Sequence, residues 1–316
     1  MELIRRTRNR WLARYAAFVA FATFLLIIAG ALVTSNDAGL SVPDWPTSFG
    51  TFRMPRMVGG VKYEHGHRMI AGTVGLLTIF LALWLWRSDE RRWVRRLGGL
   101  AVLTVIAQAV LGGITVLFFL PAPISVAHAC LAQLFFCITV SLALFTRYDW
   151  HWDGPRAEDA GSPSLRQLAA ATTAAIFLQL MLGAAFRHDA FGIIPHVIGA
   201  VVVTVGILWL LVRVLAKHQD DTRLVRSAVV LTVLLAVQVL LGIGSYIERL
   251  AELKAPQPLP PAVTVTTTHV AVGALVLAAS LVVTLEVFRT FAASGHAVRV
   301  AETAPSGDGL AHPSRV

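Results

Sequence analysis

The sequence predicts an all-α polytopic membrane protein: eight transmembrane helices forming two parallel-repeat four-helix bundles, with both termini cytoplasmic. Three observations carry that expectation. The 316 residues are 56% hydrophobic and only 14% charged, with a mean hydropathy of +0.69. The apolar residues gather into stretches of ~20, the length that crosses a hydrocarbon core about 30 Å thick at 1.5 Å per residue. Basic residues collect in alternate connections, as they do on the cytoplasmic side of a bilayer. Backbone groups in lipid must be satisfied within their own segment, so the stretches are helices and not an open sheet.

The first stretch, 14–34, follows Arg5, Arg6, Arg8, Arg10 and Arg14. Its basic head and Ala29-Gly30-Ala31 resemble a secretory signal, but the apolar run exceeds the 7–15 residues of a signal. It is expected to remain as the first span. The outer loop that follows is long and dense in Gly39, Pro43, Trp45, Pro46 and Gly50. Long ordered loops commonly act as lids or binding surfaces, although tryptophan is also a plain interfacial anchor.

The second stretch, 67–86, opens on His67 and ends in Arg87, Arg91, Arg92, Arg95 and Arg96. The third, 97–119, and the fourth, 124–146, are joined without a basic residue, and His128 stands near the head of the fourth. The fifth, 165–186, reaches the sixth, 193–213, through a loop whose one Lys or Arg is Arg187, and His196 heads the sixth. Arg213, Lys217, Arg223 and Arg226 precede the seventh, 225–247, and His269 lies early in the eighth, 264–288. The tail from about Gly295 reads as a disordered cytoplasmic end. The chain therefore divides into an N-terminal bundle (1–150), a C-terminal bundle (151–290) and a tail (291–316).

The net charge of +9 belongs to this topology and to lipid attraction. A nucleic-acid role is excluded, because the arginines are scattered over loops without interleaved aromatics. Cys130 and Cys137 are seven apart on one helix, share a face and are too distant to bridge each other. They read as small apolar packing residues, with no metal-type cysteine spacing.

An internal repeat runs through the odd-numbered spans. Gln108 and Gly112, Gln179 and Gly183, and Gln238 and Gly242 share one spacing, and the first span fits loosely with Leu26 and Gly30. Each is followed by a helix that begins near a histidine, so the unit is a helical hairpin used four times, in parallel halves. Four residues beyond each histidine stands Ala71, Ala132, Ala200 or Gly273, on the same helix face. Small residues there leave space for a flat macrocycle, or else serve close helix packing. The glutamines either bond across the bundle or act beside a bound cofactor.

His67, His128, His196 and His269 are the candidate ligands. Imidazoles are costly in hydrocarbon and need partners; two on facing helices can hold haem iron inside a four-helix bundle. All four are placed within the first two turns from the outer surface. His67 pairs with His128 in one half and His196 with His269 in the other. Zinc or copper fits less well, since carboxylates and thiols are missing at three of the four positions. Only His67 has a carboxylate three residues back, Glu64. Such a group could act as a general base toward water or stabilise positive charge on an oxidised macrocycle; equally, it suits a helix N-terminus. Arg68 is expected to pair with a haem propionate or to anchor at the interface. His65 is expected to point to solvent, and His188 to be a loop residue. His151, His218, His296 and His312 fall on the inner side without a role.

Gly39-Leu-x-x-Pro43-Asp44-Trp45-Pro46-x-x-x-Gly50, then Glu64-x-x-His67-Arg68, then a histidine heading each later even helix, closely resembles the haem A synthase family. The resemblance covers nearly all of residues 10–290. It implies an oxidoreductase converting haem O to haem A for assembly of aa3-type terminal oxidases. The C8 methyl would become a formyl group through a hydroxymethyl intermediate with water-derived oxygen. It implies haem O held by His67 and His128 with Glu64 catalytic, and a resident haem b held by His196 and His269. It further implies the cytoplasmic membrane as location with the haem sites near its outer face, a haem O synthase as neighbour, and a membrane electron acceptor. A homo-oligomer is compatible with it. Many relatives carry a cysteine pair in the first outer loop, where this chain has Val42 and Ser48, so a thiol role for that loop is absent. Two other functions fit the same helices: a di-haem b electron carrier, which needs no Glu64, and a transporter, for which broken helices and polar midplane residues would be the signature.

Overall fold

The computed structural model describes residues 9–150, 161–252 and 258–291. Among them the chain forms eight α-helices and no β-strand: α1 (Arg10–Ser35), α2 (Val61–Ser88), α3 (Arg92–Leu117), α4 (Ala122–Phe145), α5 (Leu165–Arg187), α6 (Ile193–Lys217), α7 (Thr222–Glu252) and α8 (Pro260–Thr290). All eight are long and apolar enough to cross a membrane, with 18-residue windows of mean hydropathy between 1.8 and 2.6. The protein is a multi-pass membrane protein. Arg5, Arg6 and Arg8, His151, His296 and His312, and the tail from Gly295 lie outside the described residues.

Local sequence explains the helix ends. Asn9 caps α1 by accepting from the Trp11 amide, and Ser164 with Gln167 forms a reciprocal capping box at α5. Pro123 and Pro260 or Pro261 occupy first-turn positions of α4 and α8, where a missing N–H costs nothing. The spans are longer than apolarity alone predicts. α2 begins at Val61, six residues ahead of the expected start, because Lys62, Tyr63, Glu64 and His65 continue the helix above the apolar run. That extension puts Glu64 and His67 on one face. α8 begins at Pro260, so His269 sits in the third turn and not within the first two as expected.

Within the first four helices, α1 packs on α2 and α4, and α3 packs on the same two neighbours. Within the last four, α5 and α7 each pack on α6 and α8. Leu12, Ala16, Val19, Val74, Leu81 and Phe135 belong to one buried core; Ile176, Val203, Ile207, Leu231, Leu277 and Val283 belong to another. The two sets meet through α1 with α8, and α4 with α5 and α8. Ile27, Phe136, Ala274 and Ala278 fill that seam. Short connections make consecutive helices antiparallel, so the heads of all the even helices lie at the end that carries the first long loop.

Candidate functional site

Each of the four histidines lies against a glycine of the preceding helix. A methyl group placed on Gly30 would stand 3.2 Å from His67 Cε1, and one on Gly112 would stand 3.2 Å from His128 Cε1. The corresponding distances are 2.8 Å for Gly183 and His196 and 3.1 Å for Gly242 and His269. The spaced glycines of the odd helices are therefore the floor on which the imidazoles rest. The loose first copy, Leu26 with Gly30, obeys the same rule. Of the small residues four places after the histidines, Gly273 serves the close-packing alternative. A Cβ on Gly273 would meet Gln238 Nε2 at 3.0 Å, so that glycine makes room for a glutamine.

The rings come together two by two. His196 and His269 have ring centres 6.4 Å apart and planes at 84°. His67 and His128 lie within electrostatic reach of each other. Gln179 Nε2 contacts His196 Nδ1 at 3.0 Å and donates to the His196 carbonyl at 2.8 Å, while Gln238 Nε2 stands 3.4 Å from His269 Nε2. The Gln108 main chain runs beside His128. The Gln179 and Gln238 side chains thus contact the ligand candidates of the C-terminal half directly.

These residues suit a haem. Nδ1 of His67, His128 and His269 and Oε1 of Gln108, Gln179 and Gln238 are buried without a hydrogen-bond partner. Such orphaned polar atoms are rare in folded proteins and ask for a ligand or water. A metal bonded by two imidazoles stands about 2 Å from each nitrogen. The 6.4 Å between the His196 and His269 ring centres leaves room for one such atom between the rings. Imidazole pairs in an apolar four-helix setting are a donor set that haem iron accepts.

Among the described residues, only the N-terminal pair has a buried acid and an elaborate cover. Glu64 is 4% exposed; its Oε2 accepts the Val42 amide at 2.8 Å and its Oε1 pairs with Arg68 Nη2 at 2.5 Å. Arg68 also donates to the carbonyls of Asp44 (2.7 Å), Thr47 (3.0 Å) and Val42 (3.2 Å). Its guanidinium thereby ties the first outer loop to α2. His65 is likewise engaged, with Nδ1 2.9 Å from Ser48 Oγ, because the loop folds back over the head of α2, leaving that histidine partly exposed. Val42 and Ser48, standing where relatives have cysteines, are both buried and both bonded to α2 residues.

Trp45 completes the cover. Its indole lies so close to α3 that a Cβ on Gly113 would stand 2.6 Å from it. Gly112 faces His128 and Gly113 faces Trp45, so the paired glycines serve the ring and the lid at once. Sequence reasoning missed this contact, and the doubled glycine was its one signal. His188 caps α5 in a turn, as expected of a loop residue, yet lies close enough to His128 to influence it. His218 caps α6 at the other end and packs on Phe291, with ring centres 4.6 Å apart.

A family model described as cytochrome oxidase assembly protein matches residues 61–195. That stretch takes in Glu64, His67, Arg68 and His128 and stops one residue short of His196. The chain is 30% identical to the heme A synthase of Lysinibacillus sphaericus over 186 residues, 57% of this chain and 59% of that protein. It is 31% identical to the heme A synthase of Halalkalibacterium halodurans over 137 residues, 43% and 44% of the two chains. With the heme A synthase of Shouchella clausii the identity is 30% over 154 residues, 48% and 50%.

Over these stretches the chain is similar to heme A synthases and to the cytochrome oxidase assembly family. It aligns with about half of the length of these relatives. The matched stretch takes in Glu64, His67 and His128 but not the Trp45 loop, and extends through α5.

Proposed function

We propose that the protein is a haem A synthase of the cytoplasmic membrane that oxidises the C8 methyl of haem O to a formyl group through a hydroxymethyl stage. The observation that carries this reading is the asymmetry between two otherwise similar histidine pairs. Both sit on glycine floors, but only His67 and His128 have a buried carboxylate one helical turn away. In this reading residues 1–150 form the substrate half, with haem O held by His67 and His128. Residues 151–290 form the half in which His196 and His269 hold a resident haem b. Bound there, haem b supplies a one-electron redox centre.

The chain's own residues do the rest. The Arg68 guanidinium and the Val42 amide occupy two of roughly four lone-pair sites of the Glu64 carboxylate. The remaining sites can take a proton from the water that supplies the new oxygen, the work of a general base. Trp45 and the loop bolted down by Arg68 keep bulk water from the substrate face, so only positioned water competes. The parallel-repeat arrangement, with cytoplasmic termini and both sites near the outer face, is supported by the arginines of alternate connections. Haem O delivery by a haem O synthase and electron removal by a membrane acceptor belong to the same scheme.

The test is conversion in cells that make this chain together with a haem O synthase, with extracted pigments identified by mass. Haem A should accumulate. Glu64→Gln should keep the low-spin haem spectrum while conversion falls by about 10²–10⁴-fold, the usual weight of a general base. Wild-type conversion by Glu64→Gln overturns the base role; extracts holding only haem b overturn the enzyme reading in favour of an electron carrier.

A further inference from the structure

Between the two histidine pairs, at the end of α5, sits Arg187, a cation with no ion pair among the described residues. Arg187 is partly buried and reaches across to α1, where its Nη2 donates to Ser35 Oγ at 2.6 Å and to the Ala31 carbonyl at 3.4 Å. Ser35 in turn accepts from Thr267 Oγ1 of α8 at 3.1 Å. Ala31 adjoins Gly30, on which His67 rests, and Thr267 stands two places before His269. The guanidinium therefore lies in the layer that holds the rings, within electrostatic reach of His269.

Among the described residues no ion pair answers its charge. Asp37 and Glu252 are near enough to be felt, but among the described residues neither forms an ion pair with it. The neighbouring Arg249 adds a second positive charge and spends its own on Asp189 at 2.9 Å. Both Arg187 hydrogen bonds leave from Nη2, so Nε and Nη1 make none among the described residues. A charge in a membrane layer calls for a counter-charge, and a guanidinium edge with two free donors matches a carboxylate in fork geometry. A haem carries two such carboxylates on its rim.

We propose that Arg187 binds a propionate carboxylate of the haem held by His196 and His269, through the Nε and Nη1 donors that α1 leaves free. This inference rests on the reading of that histidine pair as a haem site. Ser35 and Thr267 then act as positioning residues: by engaging Nη2 they turn the opposite edge of the guanidinium toward the ring. The loose end of the protein's electrostatics is closed by the ligand itself.

The full chain in detergent, in a His67→Ala background that leaves the C-terminal pair alone, provides the test. Haem loss is followed by transfer to excess apomyoglobin, for iron protoporphyrin and for its dimethyl ester, which has no carboxylates. The parent should release the ester about tenfold faster than the free acid, the scale of a charge-assisted hydrogen bond. Arg187→Gln should release the free acid about tenfold faster than the parent and should no longer distinguish the ester from the acid. Arg187→Lys should fall between. Equal release of ester and acid by the parent overturns the proposal, as does an Arg187→Gln that speeds both while preserving their ratio, since damage to the α1–α5 contact would do that. Adding His269→Ala separates the two failures. If the six-coordinate spectrum survives that change, the haem reading itself is wrong; if the spectrum is lost while the ratios fail, Arg187 alone is wrongly assigned.

Discussion

Among the four glycines that seat the histidines, Gly183 has the tightest constraint. A Cβ there would stand 2.8 Å from His196 Cε1, closer than side-chain atoms tolerate, so the ring or the helix must move. At Gly242 the same addition meets His269 at 3.1 Å, a contact that a few tenths of an ångström relieves. Gly183→Ala should therefore lower the low-spin haem content of the purified protein severalfold, and Gly242→Ala should lower it less. Absorption spectra normalised to protein would read the order, and an inverted order would mean that the glycines do not seat the rings. Asp44 makes a second residue-scale prediction. The Thr47 hydroxyl, the Gly50 amide and the Phe49 amide all donate to its carboxylate and hold its pKa below the ordinary range. A carboxyl with a depressed folded pKa contributes fully above the unfolded value, near 3.9, and loses that contribution as pH falls through the lower folded value. The loop should resist pepsin at about pH 5, where the carboxyl is ionised, and yield only well below the ordinary carboxylate range. Asp44→Asn should abolish that difference between the two conditions.

At the scale of elements, the first outer loop and the head of α2 behave as one unit, joined by Arg68. Removing that side chain breaks four hydrogen bonds at once and leaves Glu64 buried with one amide as its remaining donor. Loss of one partner from a buried pair typically costs about 3 kcal/mol. Arg68→Ala should thus raise amide exchange over residues 42–50 by roughly a hundredfold, while the cores of α1 to α4 keep their protection. Unchanged loop exchange would show that Trp45 on Gly113 is the stronger bolt. How much of this could be read beforehand depends on the range of the interaction. Helix existence followed from apolar length, and the histidine–glycine hairpins followed from a spacing that recurs in the chain. The early start of α2 was hidden because Lys62, Tyr63, Glu64 and His65 are polar, and hydropathy ends where the helix does not. The role of Arg68 was invisible for another reason. Its partners are three backbone carbonyls more than twenty residues away, and a carbonyl leaves no mark on the sequence that spells it.

The whole molecule is polarised from end to end. One end gathers the histidine heads of α2, α4 and α6 with the Trp45 loop, and the other gathers Arg87, Arg91, Arg92, Arg95, Arg213 and Arg223. Translocation keeps short arginine-rich connections on the cytoplasmic side, so the histidine end should face outward. Three large apolar residues at that end are exposed and free to be exchanged: Phe49 (52%), Phe119 (81%) and Phe191 (62%). Cys130 and Cys137 lie partly buried in α4 and offer little background to an impermeant reagent. In intact cells, a charged maleimide should label Phe49→Cys, Phe119→Cys and Phe191→Cys, and should label Arg92→Cys and Asp220→Cys only after the membrane is opened. The opposite pattern would invert the protein and place the lid and the carboxylate in the cytoplasm. Water would then reach Glu64 from the side where the arginines now stand, and a haem held as proposed by His196 and His269 would have to give up its electrons toward the other leaflet.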